Sequence, residues 1–262
     1  MSEIADHDLQ EIFNDPARVY NSDESNIQLC PKTGKVLGIK GHKNIYEVAP
    51  GPEKSTLTFL GTFNARGDIV CPAIIYPYVR MPKDIIDNVP DNFFIGQSES
   101  GWMKSETFFE FIANGFVPWL SINNITKPVI LFVDGHKTHL TMQLSKYCDE
   151  NGVVLYLLPP NTTHILQPAD VGVFVPMKDM WRKQVHRFQR QNVNEPIRRK
   201  DVAPMLKEVL DQISVPTNAF RATGLYPLNP DDVDYSKIIN LPKNPVITNA
   251  NSVRRRSINA QK

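Results

Sequence analysis

Three aspartates stand beside predicted secondary-structure elements, where side chains can be delivered to a common site. Asp23 closes a short strand predicted from Val19, and Asp134 closes a strand predicted over residues 128–133. Asp170 opens a long predicted helix. Ligands and catalytic groups gather beyond the carboxyl ends of strands in open α/β sheets. The positions therefore predict that three acids from distant parts of the chain converge at one edge of a sheet.

Converging carboxylates repel one another, and their burial without compensation is energetically costly. Such a cluster makes physical sense around hard divalent cations, and oxygen ligands favour Mg²⁺ or Mn²⁺ over zinc. Two such ions about 3.5–4 Å apart would activate a water or hydroxyl nucleophile and stabilise the leaving oxygen of a phosphodiester. The acids therefore suggest a two-ion site for phosphodiester chemistry.

Each aspartate also has an ordinary structural interpretation. Asp170 could be only a helix N-cap, Asp134 a turn former before Gly135, and Asp23 part of an acidic surface. Residue type and spacing alone leave both interpretations open.

The elements that must position these acids alternate between strands and helices. Their order, with three strands followed by alternating helices and strands, is typical of an α/β fold with a mixed sheet flanked by helices. The strands are predicted over residues 19–23, 55–60, 69–75, 128–133 and 153–158. One helix is predicted over residues 105–116. A second, with Leu140, Leu144, Tyr147 and Cys148 on one face, is predicted to end at Gly152. Two more are predicted over 170–191, with a break at Pro176, and over 205–213, with Pro204 in the first turn.

Composition excludes several classes of protein. Hydrophobic residues make up 41% of the 262 positions and charged residues 22%, so wholesale disorder is not expected. No apolar run approaches the ~20 residues that span a bilayer, and the acidic start lacks the features of a signal peptide. The three cysteines form no CxxC pair, which argues against zinc or a redox dithiol. We expect a soluble intracellular protein with reduced thiols and no membrane partner.

Charge is unevenly distributed although the net charge is only +1. Residues 1–24 hold seven acids and one arginine, whereas residues 178–200 hold eight bases and two acids. The basic stretch is compatible with a polyanion contact and equally with a solvated helix face. The candidate DNA-binding residues in it are Lys178, Arg182, Lys183, Arg187 and Arg190.

Four motifs resemble the DDE-superfamily endonuclease domain of pogo, Tigger and Jerky-like transposases, which are related to mariner. The two central ones are VDGHKTH at residues 133–139 and LPPNTTHILQPADVGVF at residues 158–174. GWM at residues 101–103 and FRATGLYP at residues 220–227 are similar to the flanking motifs of that family. The resemblance runs over about residues 19–230, most of the chain.

This resemblance implies an RNase H-like fold in which Asp23, Asp134 and Asp170 are the catalytic and metal-ligating acids. The family usually has Asp-Glu-Thr-Gly at the first acid, whereas this chain has Asp-Glu-Ser-Asn, which keeps the metal ligand. We assign Glu24 and His136 to the surroundings of the metal ligands, where they would orient them. The expected cofactor is Mg²⁺ or Mn²⁺, with two ions bound.

The implied organisation is a flexible leader over 1–17, a catalytic domain over 18–230 and a largely disordered tail over 231–262. Relatives carry helix-turn-helix domains ahead of the catalytic one, and only 22 residues precede Asp23, so we expect no targeting domain in this chain. Whether the chain forms a homo-oligomer is left open.

Two functions follow as hypotheses. In the first, the chain is a transposon-derived DDE endonuclease or transposase domain that cleaves and transfers DNA in the nucleus. In the alternative, it is a domesticated or truncated relative that binds DNA or a nuclear partner without turnover. Because the missing targeting domain favours the second and the three acids favour the first, the sequence leaves enzymatic activity open.

Overall fold

The computed structural model describes residues 7–31, 55–135, 141–192, 195–215 and 217–237. Its centre is a six-stranded sheet with the strand order β4-β3-β2-β1-β5-β6. The strands are β1 Val19–Gln28, β2 Thr56–Asn64, β3 Ile69–Tyr76, β4 Phe94–Gln97, β5 Val129–Val133 and β6 Val153–Leu157. The predicted α/β fold with a mixed sheet is confirmed. The prediction missed β4, a strand of only four residues at the edge of the sheet.

Strand directions place most carboxyl ends along one edge of the sheet. Strand β1 is parallel to β5, which is parallel to β6, and β3 is parallel to β4. Strand β2 is antiparallel to both of its neighbours, β1 and β3. The edge at which β5 ends is therefore also the edge towards which β1, β3, β4 and β6 run.

Helices cover the sheet on both sides. In chain order, the α-helices of the described residues are α1 His7–Gln10, α2 Lys83–Ile86, α3 Ser105–Phe111, α4 Val117–Ile122, α5 Met142–Glu150, α6 Thr163–Leu166, α7 Phe174–Gln191, α8 Arg199–Leu210 and α9 Thr217–Ala222. A π-helical turn at Ile112–Phe116 joins α3 to α4, and another at Ala169–Val173 leads into α7.

Strand β5 separates two hydrophobic cores. Ile130 and Phe132 face the core that includes residues of α7 and α8, whereas Val129, Leu131 and Val133 face the core that includes α3 and α5. All five residues are completely buried. A strand covered on both faces has no polar side, which explains the unbroken apolar run in the sequence.

The described part of the predicted leader is packed against the domain. Ile12, in a 3₁₀ turn at Ile12–Asn14, is completely buried. Directly after the leader, at the start of the predicted catalytic domain, Arg18 is buried, and its Nε donates to the carbonyl oxygen of Pro128, 2.9 Å away, just before β5. At the other end, a 3₁₀ turn at Pro230–Asp232 spans the predicted domain boundary, and Val233 is buried. Residues 1–6 and 238–262 lie outside the described residues, and the domain boundaries stay a prediction.

Two helix predictions were wrong at prolines. The helix predicted over 105–116 continues to Ile122, because the π-helical turn carries the chain into α4 with Pro118 in its first turn. The break predicted at Pro176 does not occur, since Pro176 lies in the first turn of α7. Both prolines follow a π-helical turn that runs directly into an α-helix, so neither one marks a helix end.

Helix α8 begins earlier than the predicted 205–213 and contains Pro204 in its interior. Its start is fixed at Arg198, whose backbone N–H donates to the carboxylate of Asp201, 2.9 Å away. This cap places Arg199 at the first helical position. Proline was therefore a misleading marker of the start of this helix.

Candidate metal centre

Neighbouring parallel strands carry Asp23 and Asp134. The ladder between β1 and β5 ends with the pair Asn21 and Phe132, and each aspartate lies two residues beyond its member of that pair. Asp134 directly follows β5, as predicted, but Asp23 does not close β1. The strand continues past Asp23 to Gln28 because it pairs with β2 along its whole length.

A carboxylate cluster forms where these two strands cease to pair. Asp23, Glu24 and Asp134 each offer a carboxylate oxygen, and these atoms lie within 4.8 Å of one another. Opposite oxygens in an octahedral Mg²⁺ shell are about 4.2 Å apart, so small side-chain movements would bring all three onto one cation. Glu24, which the sequence analysis placed around the metal ligands, thus lies among the ligand atoms themselves.

Asp170 lies beside this carboxylate cluster and outside it. The residue is in the π-helical turn before α7 and is exposed. Its negative charge raises the pKa of Asp23, and the charge of Asp134 raises the pKa of Asp170. The structure therefore brings all three predicted acids close enough to interact. Carboxylate oxygens of Asp23 and Asp134 lie within 4.8 Å of each other, and Asp170 affects the pKa of Asp23.

Asp23 has the most strongly perturbed environment in the cluster. The side chain is 8% exposed, and burial raises its pKa to about 8, with the charges of Asp170, Glu24 and Asp134 adding to the effect. Although Asp170 is exposed, partial desolvation by its surroundings raises its pKa, while the ammonium group of Lys178 acts in the opposite direction. One buried carboxylate, that of Asp23, with two half-buried ones beside it is a donor set that a hard divalent cation would neutralise, so the residues fit the predicted Mg²⁺ or Mn²⁺.

One buried amide, missed by the sequence analysis, connects the segments that carry the acids. The side chain of Asn21 is completely buried. Its Nδ2 donates to the carbonyl oxygen of Phe132, 3.1 Å away, and its Oδ1 accepts from the backbone N–H of Ala169, 2.9 Å away. The signal available in the sequence was an asparagine two positions before Asp23, hence on the same face of the strand.

The predicted DNA-binding residues of α7 are all exposed but do not share one environment. Lys178 is near enough to Asp170 to lower the pKa of that carboxyl. Arg182 is paired with Asp179, and Nη1 of Arg187 lies 4.0 Å from Oε2 of Glu208 on α8. Among the described residues, no acid lies within ion-pair distance of Lys183 or Arg190. His136, the other predicted site residue, lies outside the described residues.

The family model of DDE superfamily endonucleases matches residues 55–222, well over half of the chain. The chain belongs to this family. The matched segment includes Asp134 and Asp170, whereas Asp23 precedes it. Within this DDE superfamily domain, the assignment of Asp23 to the site therefore depends on the geometry of β1 and β5.

Two solved transposase complexes have a similar fold. The Mos1 transposase paired-end complex with left transposon end matches with a TM-score of 0.53 and 12% identity, over 80% of this chain and 52% of that chain. A pre-cleavage Mos1 transpososome matches with a TM-score of 0.51 and 12% identity, over 80% and 53%. The DDE superfamily domain described here thus has the predicted RNase H-like fold and spans about half the length of those chains.

A curated relative whose name does not refer to an endonuclease aligns over 220 residues at 24% identity. It is named MFS-type transporter clz9, from Cochliobolus lunatus, and the alignment covers 82% of this chain and 24% of that protein. The chain thus spans about a quarter of that relative's length. Within the part of the chain that the structure describes, none of the helices has the length and apolarity needed to cross a bilayer.

Proposed function

We propose that this DDE superfamily domain is the catalytic part of a transposase-like enzyme that cleaves and transfers DNA phosphodiesters with Mg²⁺ or Mn²⁺. The observation that carries the proposal is the carboxylate cluster of Asp23, Glu24 and Asp134, with Asp170 beside it. These groups come from three separate segments of a chain that belongs to an endonuclease family. A purely structural role would not require such a set of repelling charges in one place.

The protein's own residues would act as ligands and as a charge-matched pocket. Asp23, Asp134 and Asp170 would hold the cations, and Glu24 would support them from within the carboxylate cluster. Two bound Mg²⁺ or Mn²⁺ ions would activate a water or 3′-hydroxyl nucleophile and stabilise the leaving oxygen. Because its pKa is about 8, Asp23 holds its proton at neutral pH until a cation displaces it.

DNA would approach along α7, whose first exposed cation lies next to the acids. Lys178 is the basic residue that interacts with Asp170, and Lys183 and Arg190 follow on exposed positions without ion-pair partners among the described residues. Cations placed in this way contact phosphates and give binding that weakens with salt. DNA as partner and the nucleus as location follow from this proposal. The catalytic domain would span the predicted 18–230 together with the packed turn around Ile12.

A nicking assay on supercoiled plasmid tests the proposal. The native protein should nick DNA with Mn²⁺ and not with chelator, and the Asp134→Asn and Asp170→Asn variants should each lose at least 100-fold in rate. Asp149→Asn, which removes an exposed acid on α5, is the matched control and should cut like the native protein. Nicking that survives both of the first two substitutions would overturn the proposed chemistry.

The alternative is a domain that binds DNA or a nuclear partner without turnover. One observation favours it: Asp170 stands outside the carboxylate cluster. In this case salt-dependent DNA binding would persist in Asp134→Asn and Asp170→Asn, and the native protein would not nick DNA. Measuring binding and nicking on the same variants separates the two functions.

A further inference from the structure

Asn21 and its two hydrogen-bond partners each lie within two residues of one of the three predicted acids. Asn21 precedes Asp23 by two positions in β1, and its hydrogen-bond acceptor, the carbonyl of Phe132, precedes Asp134 by two positions. Its hydrogen-bond donor, the N–H of Ala169, immediately precedes Asp170. A single side chain of β1 therefore connects this strand to the two other segments that carry predicted metal ligands.

The amide of Asn21 continues the contact between β1 and β5 at the point where the ladder stops. Asn21 and Phe132 form the last residue pair between the two strands. The Nδ2 donor adds a side-chain hydrogen bond to Phe132, and the Oδ1 acceptor reaches the opposite way, to the π-helical turn. Ala169 is completely buried and lies at the start of that turn, where backbone N–H groups have no helical partner. Asn21 supplies that partner.

Charge explains why a neutral amide suits this position. When ionised, the carboxylates of Asp23, Asp134 and Asp170 repel one another and favour separation of the three segments that bear them. An amide has both a donor and an acceptor, so it can join a carbonyl to an N–H without adding a further negative charge. Aspartate would keep the acceptor for Ala169, lose the donor for Phe132 and add repulsion.

We propose that Asn21 is the positioning residue of the metal centre, which holds β1, the end of β5 and the π-helical turn at the spacing that a divalent cation requires. This inference rests on the proposed metal-dependent function. Asn21 itself would not bind the cation. Its contribution is that the ligands are in place before the cation arrives, which makes binding tighter.

The next residue in the strand offers a matched control. Ser22 points to the opposite face of β1, where its hydroxyl lies 2.7 Å from the hydroxyl of Thr62. Both residues are buried, so Ser22→Ala also removes a buried hydrogen bond from β1. It keeps both hydrogen bonds of Asn21, which connect β1 to the end of β5 and to the π-helical turn. A loss that comes only from weakening the strand should therefore appear in both variants.

Mn²⁺ binding to the full chain, measured by electron paramagnetic resonance titration, tests the role of Asn21. Asn21→Ala should weaken Mn²⁺ binding 10- to 100-fold, the range typical for residues that orient metal ligands. Ser22→Ala should bind Mn²⁺ within about twofold of the native protein, even if its melting temperature falls. Asn21→Ser, whose side chain is too short to reach both partners, is a milder second variant and should weaken binding in the same direction.

The outcomes separate this inference from the proposed function. A native protein that binds Mn²⁺ but does not nick DNA contradicts the nuclease, while the affinities of the Asn21 variants still decide the positioning role. Native nicking with unchanged Mn²⁺ affinity in both Asn21 variants overturns the positioning role alone. Equal losses in Asn21→Ala and Ser22→Ala overturn it as well, because the effect would then belong to the strand.

Discussion

Asp23 and Asp134 present carboxylate oxygens within 4.8 Å of each other from two adjacent parallel strands. The register of β1 and β5 produces this proximity, since both residues lie two positions beyond the last paired residues of the ladder. A shift of one residue in that register would move one carboxylate to the opposite face of the sheet. The site therefore depends on correct strand pairing as much as on the acids themselves.

The raised pKa of Asp23 predicts that the metal-free protein loses stability with increasing pH. The folded state holds a proton up to about pH 8, whereas the unfolded chain releases it near pH 3.8. Between these values the folded state binds more protons, so the free energy of unfolding falls as pH rises, by a few kcal/mol in total. Urea denaturation in chelator at pH 5 and pH 8 measures this change.

Asp23→Asn is the control for that pH dependence. Asparagine does not titrate, so the variant should be more stable than the native protein at pH 8 in chelator and should depend less on pH. A variant that is less stable than the native protein at pH 8 would show that the buried charge of Asp23 is already compensated.

Replacement of Gln167 by an apolar residue of similar size should not destabilise the protein. Its side chain is completely buried, and neither amide atom has a hydrogen-bond partner within the described residues. Because unpaired buried polar groups cost about 1–3 kcal/mol, Gln167→Met should leave the free energy of unfolding unchanged or raise it by about that amount. Chemical denaturation checks the result. In the matched substitution Gln184→Met, loss of the 2.7 Å bond from Nε2 to Glu208 should instead destabilise the protein by about 1 kcal/mol.

The position of Lys178 beside Asp170 predicts that this lysine contributes to DNA affinity and to its dependence on salt. Lys178→Ala should weaken binding of duplex DNA and reduce the slope of log K against log salt by about 1, the effect of one lost phosphate contact. Lys146→Ala removes an exposed lysine on α5, whose Nζ lies 3.9 Å from Oε1 of Glu150, and should change neither quantity. Fluorescence anisotropy at several salt concentrations measures both. An unchanged slope for Lys178→Ala would remove this residue from the DNA contact.

The elements with strong local signals could be predicted from the sequence. The run Val129–Val133 is apolar throughout because both faces of β5 are buried, and the turn between β2 and β3 is marked by Asn64 and Gly67. The Asn64 side chain accepts from the backbone N–H groups of Gly67 and Asp68, which closes that turn. These features depend on residues close together in the chain, so the sequence shows them directly.

The continuation of β1 could not be predicted in this way. Asn21, Ser22 and Asp23 have the composition of a strand end, yet all three are buried within the strand. Their polar groups find partners far away in the chain, such as the hydroxyl of Thr62 and the N–H of Ala169. Of these contacts, the one between Asn21 and Ala169 is the one that we propose to position the acids. The part of the site that the sequence did not show is thus the part that depends on tertiary hydrogen bonds.

The position of bound manganese is the most direct test of this account. A crystal of the native protein grown or soaked with Mn²⁺ should show anomalous density between the carboxylates of Asp23 and Asp134, with a second peak beside Asp170. Asp134→Asn should lose the first peak. Anomalous density that is absent from these carboxylates, or that lies away from all three aspartates, would contradict the proposed metal centre.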